Sequence, residues 1–558
     1  MKKFLPAGVV LLLALMLYLP TLRTGFLSDD FLDCNHTINE VPRAFSTQYG
    51  GGYRPLIILN WALDNSIWGV ENQTGWHLTN LVLLLVASSL LFVFLGRFLK
   101  RPEAIYTGTA LFLFSYPMAV AVARVSWRTT VLALIPFIAS LILISIWSKG
   151  AKRKWLPFAA GTLYLISLLV KETAIAALPV MVMIAYCSSA DESRWKKATW
   201  TAVIGLASLL VYGVLRFRAM GLGTNYAESS SFGLYMVKNL VLQNSIVWRP
   251  WLTGISARVL FLVYPVAVYF AVPKWKNRIL VFSMGFFLML PVSNLTVRPD
   301  FSVAALPGAA LFLGYLVQRL HGKSFFVPAL VVFFIGVILY SRDEIKTLNV
   351  ASGYVNRTAV RLAEIADELP GNGPLFISGV DNSVGVYGTF WPGEYMVPME
   401  CMGFKPERFV TGTDRLWEAL ITENDSGYLV FIARDAEHYR AIPVSFDMYS
   451  DLPDTTVLLS GCAPAGRLIR YPSCRGSDIS GPLFLLSPIY PDSVVTIFPD
   501  IRGGSAFYDL AAEPLWLSFY ETSVLTTEGQ IELVFSSKNV SLERAVEIRH
   551  SKEAEPHL

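Results

Sequence analysis

The residues best suited to chemistry are Asp29 and Asp30, in the run Ser28-Asp29-Asp30-Phe31, a few residues beyond the first of many apolar segments. Adjacent carboxylates at a membrane surface are costly to desolvate and repel one another, so their placement calls for a chemical use. A carboxylate within reach of a hydroxyl takes its proton as the oxygen attacks. By position, Asp29 is the candidate base, and Asp30 supports it by fixing the acceptor or a cation. A phosphate leaving group departs as an anion and needs charge stabilisation, a role open to Arg54, Arg128, Lys171 and Arg298. His77, Glu172 and Arg124 are supporting candidates. A weak divalent site at Asp29 and Asp30 is the one cofactor option, yet two carboxylates make an incomplete site and no His/Cys cluster completes it. Plainer readings stand beside these. Asp29-Asp30 also reads as a helix start, and Arg54 before Pro55 as a headgroup anchor. Lys171-Glu172 also reads as a mutual ion pair, and His77 beside Trp76 as an interfacial residue. Arg124 and Arg128, at i and i+4, also read as snorkelling side chains.

The elements that must position these residues are membrane helices. The 558 residues are 54% hydrophobic and 16% charged, far more apolar than a soluble globular chain. Up to about residue 340 the apolar runs are long enough to cross a bilayer, and we read about eleven spans. They lie near 4–20, 77–96, 104–121, 129–147, 155–170, 173–187, 198–216, 256–272, 279–296, 302–318 and 324–340. Every second connector is basic: Lys2 and Lys3, then Arg97, Lys100 and Arg101, then Lys149 to Lys154, then Arg194 to Lys197, then Lys274 to Arg278, then Arg319 and Lys323. Basic connectors face the cytoplasm, which puts the N-terminus inside and a C-terminal domain outside. The stretch 226–258, with Lys238, Gln243, Asn244 and Arg249, suits an interfacial helix. The first segment is a retained helix, because Leu-Tyr-Leu-Pro closes it without a small-x-small cleavage site. Among the five cysteines, Cys462 and Cys474 are placed to pair in an oxidising compartment, and Cys187 reads as a free thiol. The net charge of +4 reports topology and gives no argument for nucleic acid.

The chain thus divides near 341 into a transmembrane domain, 1–340, with a first outer loop at 21–76, and an extracytoplasmic soluble domain, 341–558. All the candidate residues gather on the outer side. Nucleotide sugars and ATP are cytoplasmic, and the chain has no glycine loop to cradle their phosphates. A polyprenyl-phosphate-linked sugar meets the need for a donor delivered through the bilayer, with its lipid between helices and its phosphate against Arg or Lys. In the same order, Asp29-Asp30, Tyr53-Arg54-Pro55-Leu56 and Gly75-Trp76-His77-Leu78-Thr79-Asn80 look like the start of membrane glycosyltransferases of the GT-C fold. They most resemble the transmembrane-and-tetratricopeptide-repeat O-mannosyltransferases and their bacterial relatives. Tyr116-Pro117, Ser126-Trp127-Arg128, Lys171-Glu172 and Pro291-Val292-Ser293-Asn294 continue the series. The resemblance implies an inverting transferase of hexosyl or mannosyl type, using a polyprenyl-phosphate sugar and a carboxylate of the first outer loop as base.

The sequence also departs from that pattern. Of a His-Pro-x-His-Thr-Glu run only Pro117 remains, an Arg-Ala-Asp pattern becomes Arg128-Thr129-Thr130, and the repeat array is absent. The outer domain opens with an amphipathic helix at 343–369. Apolar runs at 375–378 and 428–432 read as strands with a helix near 414–422 between them, an α/β layer. Further strands are expected at 455–460, 483–487, 494–498 and 530–536. Its expected role is acceptor binding or a lid. The expected class is a polytopic α-helical, GT-C-like membrane protein with an extracytoplasmic α/β domain, in a bacterial plasma membrane, although the basic connectors fit an endoplasmic reticulum equally well. The acceptor is a protein, glycan or lipid, and membrane lipid is a partner. Two other classes remain: a non-catalytic scaffold, and a lipid-linked saccharide transporter, which would place its polar residues at mid-membrane depth.

Overall fold

The computed structural model describes residues 5–36, 38–49, 52–151, 153–190, 193–221, 234–252, 257–292 and 297–378, then shorter stretches to 445 and the strand backbones between 457 and 546. The chain forms two compact units, Met1–Gly353 and Tyr354–Leu558.

The first unit is helical. In chain order its helices are α1 (Leu5–Tyr18), α2 (Asp29–Cys34), α3 (Val41–Ala44), α4 (Pro55–Trp68), α5 (Gln73–Leu95), α6 (Pro102–Phe114), α7 (Tyr116–Ala123), α8 (Arg128–Ser148) and α9 (Leu156–Val170). After these come α10 (Ala177–Ser188), α11 (Arg194–Met220), α12 (Leu234–Ile246), α13 (Ala257–Ala271), α14 (Trp275–Phe287), α15 (Pro299–Ser302), α16 (Leu306–Leu320) and α17 (Phe326–Glu368). Proline opens α4, α6 and α15, where its missing N–H has no intrahelical partner to lose.

The expected spans overlap these helices, with 104–121 divided between α6 and α7 and 279–296 reaching past the end of α14, and their lengths differ from the expectation. Among the described residues, α5, α8, α11, Pro299–Leu320 and α17 are each long and apolar enough to cross a membrane, and α6 with α7 makes a sixth if taken as one bent span. This is an integral membrane protein. The run 104–121 is broken at Ser115, whose extended backbone turns α7 by 49° from α6. Pro117 forces the break, since its ring would collide with the carbonyl one turn earlier in a continuous helix. At 15 residues α9 is only about 22 Å long. The run 173–187 starts as a 3₁₀ turn, Glu172–Ala176, before α10.

The expected span 324–340 and helix 343–369 are a single helix, α17, with no proline between Pro328 and Pro370 to interrupt it. Among the long apolar helices α8 and the segment Pro299–Leu320 are mostly enclosed, whereas α11 turns most of its surface outward. Helices α6 and α16 approach closely at Gly108, where a Cβ would sit 2.6 Å from the Ala310 carbonyl oxygen. In the stretch read as interfacial, α12 buries Asn239 and Gln243, and Gln243 Nε2 donates to the Val292 carbonyl at 3.0 Å.

In the second unit β1 (Leu375–Ser378) lies between β4 (Val410–Gly412) and β5 (Ser426–Ile432), parallel to both, and β6 (Tyr439–Ser445) adds antiparallel to β5. A small hairpin joins β2 (Ser383–Val384) to β3 (Tyr387–Gly388). Antiparallel sheets follow, one of β7 (Val457–Ser460), β8 (Asp478–Ser487) and β11 (Trp516–Leu525), the other of β9 (Ser493–Ile497), β10 (Ala506–Asp509), β12 (Ile531–Ser537) and β13 (Val540–Val546). The strands expected from 375 to 536 coincide with members of these sheets. The helix expected at 414–422, and Cys462 and Cys474, lie outside the described residues, as do Ser293 and Asn294.

Candidate active site

The acidic pair opens α2 on a constrained turn. Ser28, just before it, has φ +46, a conformation unfavourable for a residue with a Cβ. Interlocking bonds hold it. The Asp30 N–H donates to the Leu27 carbonyl at 2.9 Å, and the Leu27 N–H donates back to Asp30 Oδ2 at 3.1 Å. Asp30 Oδ1 accepts from the Ser126 N–H at 2.7 Å, and Arg124 Nη2 donates to the Leu27 carbonyl at 3.1 Å. Asp30 is fully buried with both oxygens engaged, and it fastens the turn before α2 and the Ser126 amide rather than capping the helix, whose N-cap is Ser28 with no side-chain cap bond. Asp29 is half-buried, and its hydrogen bond among the described residues is a long one, from Ser28 Oγ at 3.5 Å. Burial raises the Asp29 carboxyl above its ordinary range; Arg124 and Arg298 pull it down and Asp30 pushes it up.

Cations gather around Trp127 and Asp300. The Arg124 guanidinium lies 4.6 Å from the Trp127 ring centroid and that of Arg298 5.1 Å from it. Asp300 bridges two cations, accepting from Arg298 Nε at 3.0 Å through Oδ1 and lying 3.8 Å from Lys171 Nζ through Oδ2. Lys171 Nζ also donates to Thr130 Oγ1 at 2.5 Å. Burial pushes the Lys171 ammonium down to about 8, with Asp300 opposing the shift. Arg298 is the most open of this group, 39% exposed at its side chain.

The other candidates serve as fasteners. Arg54 does not stand free: it grips Glu172 through a two-point fork, Nε to Oε2 at 2.7 Å and Nη2 to Oε1, tying the start of α4 to the turn before α10. Lys171 and Glu172 therefore have separate partners and do not pair with each other. Arg128 is buried, giving Nη1 to Asp64 and to Asn60 at 3.1 Å and Nη2 to the Trp76 carbonyl at 2.9 Å, which leaves little surface for a phosphate. His77 is fully buried within the protein.

The Gly75-to-Asn80 run proves to be architectural. Gly75 lies against Trp68, Trp76 Nε1 donates to the Gly69 carbonyl at 2.9 Å, and Thr79 Oγ1 donates to Asp64 at 2.9 Å. Asn80 Nδ2 holds the Val122 carbonyl at 2.7 Å and the Arg124 carbonyl at 3.3 Å. It thereby presents Arg124 and the Ser126 N–H to the acidic turn. Sequence reasoning gave no role to Asp64, Trp127 or Asp300; a charged partner beside each buried cation is the signal that finds the two acids. Asp33, an outer-loop acid given no role either, is 2% exposed, its Oδ1 accepts from the Tyr49 hydroxyl, and burial holds its carboxyl well above the ordinary range.

Among the described residues no three His, Cys, Asp or Glu side chains converge as a metal site. Each Asp30 oxygen receives one backbone N–H donor, so the carboxylate is already oriented by the Leu27 and Ser126 amides.

No family model matches the chain. Over 192 residues it is 32% identical to Protein O-mannosyl-transferase Tmtc2 of Drosophila melanogaster, a stretch covering 31% of this chain and 20% of that protein. The resemblance to that group thus rests on aligned sequence as well as on short motifs, although the chain spans only a fifth of the length of this relative. Crystal structures of ArnT from Cupriavidus metallidurans, bound to undecaprenyl phosphate and apo, match with TM-scores of 0.49 and 0.48 at 13% and 12% identity. They cover 77% and 82% of this chain and 92% and 96% of ArnT. The arabinofuranosyltransferase AftD from Mycobacteria matches with a TM-score of 0.40 at 15% identity, over 76% of this chain and 35% of AftD.

Proposed function

We propose that this protein is a GT-C-type glycosyltransferase that moves a sugar from a polyprenyl-phosphate donor to a hydroxyl acceptor on the side of the membrane away from the basic connectors. The observation that carries the reading is the division of labour in the acidic pair. Asp30 is spent on backbone N–H groups, and Asp29 stands half-open on the turn those bonds fasten, in the field of Arg124 and Arg298. Support also comes from the aligned stretch shared with an O-mannosyl-transferase.

In this mechanism the acceptor hydroxyl gives its proton to Asp29 while its oxygen bonds to the anomeric carbon from the face opposite the phosphate. The bond from that carbon to the phosphate oxygen breaks, its electron pair leaves on the phosphate, and the anomeric configuration inverts. Arg298, the open cation, and Lys171 behind it stabilise the charge that develops. Arg54, Arg128 and Asn80 hold the loops and act as positioning residues. In this reading the N-terminus is cytoplasmic, the membrane is a bacterial plasma membrane, and residues 341–558 are extracytoplasmic, as the alternation of basic connectors suggests. The test offers purified protein a labelled hexose on a short polyprenyl phosphate, on a polyprenyl diphosphate or on a nucleotide. Turnover of the monophosphate alone supports the reading; turnover of the nucleotide sugar contradicts it.

A further inference from the structure

The basic connectors come together at one end of the bundle. Lys149 Nζ donates to the Arg97 carbonyl, and Lys197 Nζ donates to the carbonyls of Ser148 at 2.9 Å and Trp147 at 3.4 Å. The Lys100 N–H donates to Gln318 Oε1 at 2.8 Å, and Cys187 Sγ reaches the Lys276 carbonyl at 3.3 Å. Three of these connectors carry a tryptophan flanked by cations where the next helix begins: Lys154-Trp155, Arg194-Trp195-Lys196 and Lys274-Trp275-Lys276. The three indoles are 55%, 71% and 51% exposed, although tryptophan is among the side chains that gain most from leaving water. Arg153, Lys154, Lys196 and Lys274 are exposed beside them. Trp195 is held edge-on by Tyr186 at 4.9 Å, and the Arg194 guanidinium lies 5.4 Å from the same tyrosine ring.

We propose that this end of the bundle binds anionic phospholipid headgroups, with Trp155, Trp195 and Trp275 fixing its depth in the interface and Arg153, Lys154, Lys196 and Lys274 engaging the phosphates. Indole settles at headgroup level and clustered cations favour a negatively charged leaflet. The helices that meet these connectors carry outward apolar side chains as well, Phe158 on α9, Trp200 on α11 and Phe270 near the end of α13, each exposed. That combination suits a bilayer rather than an acidic protein approaching from water. The surface is separate from the acidic site and does not depend on the transfer reaction.

The full chain in nanodiscs of mixed phosphatidylcholine and phosphatidylglycerol tests this by native mass spectrometry of the lipids retained. The wild type should retain phosphatidylglycerol above its share of the mixture, less so as salt is raised. K154Q/K196Q/K274Q should lower that enrichment about tenfold or more, since one cation near an anionic surface is worth about fivefold. K154R/K196R/K274R, with charge kept, should retain it. Enrichment that is absent in the wild type, insensitive to salt or unchanged in the glutamine variant overturns the proposal. So does an acidic protein that competes the phospholipid away.

Discussion

Replacing Arg128 with Met should unsettle the membrane unit without touching the donor. The guanidinium is 1% exposed at its side chain, its partner Asp64 is 3% exposed, and the substitution leaves that carboxylate buried without its cation. Breaking a buried ion pair from one side costs about 3–5 kcal/mol. The bonds to Asn60 and the Trp76 carbonyl, each worth about 1 kcal/mol net, put the loss toward the upper end of that range. Removing both charges in Arg128→Met/Asp64→Leu should recover part of it, with a coupling of about 1–3 kcal/mol. Thermal unfolding of the purified protein ranks the variants, and initial rates give the donor KM of those that fold. The double variant should melt above Arg128→Met, with a donor KM within about threefold of wild type. An Arg128→Met protein as stable as wild type, with donor KM raised tenfold or more, would refute this reasoning and put the guanidinium on the phosphate.

Four further outcomes follow from the geometry. The rate should rise with pH as Asp29 ionises, with a midpoint above the ordinary carboxylate range because burial raises that carboxyl. Arg298→Gln removes a cation that lowers it, so a pH–rate series should show the limb move to higher pH. If Lys171 acts as a cation, the rate should fall as pH passes about 8, and Lys171→Arg should abolish that descending limb. Gly108→Ala presses a methyl onto the Ala310 carbonyl and should cost about 1–3 kcal/mol, seen as a lower Tm. Asn80→Ala frees the Val122 and Arg124 carbonyls and should lower kcat without raising donor KM, which steady-state kinetics would show.

The membrane character and the acidic turn were legible because hydrophobic runs and adjacent carboxylates are local signals. Span lengths were not, because Ser115 and Pro117 break a run that composition reads as continuous, and α17 passes through the polar run at Ser341 without a break. Partner choice was legible least. Lys171 and Glu172 are neighbours in sequence yet bind Asp300 and Arg54, more than 100 residues away, a pairing that only the packing of the turn after α9 between the start of α4 and α15 decides. The Gly75-to-Asn80 run was recognised as a motif, but its work is done through backbone carbonyls, which a sequence does not display.

The most direct test of the account compares wild type, Asp29→Asn and Asp30→Asn for transfer of labelled sugar from a polyprenyl-phosphate donor, with Tm measured on the same samples. Asp29→Asn should keep the wild-type Tm and lose turnover by about 10²–10⁴-fold. Asp30→Asn should lower Tm, because one of its two backbone donors then faces an amide N–H₂. Full turnover in Asp29→Asn at unchanged stability would contradict the assignment of Asp29 as the base.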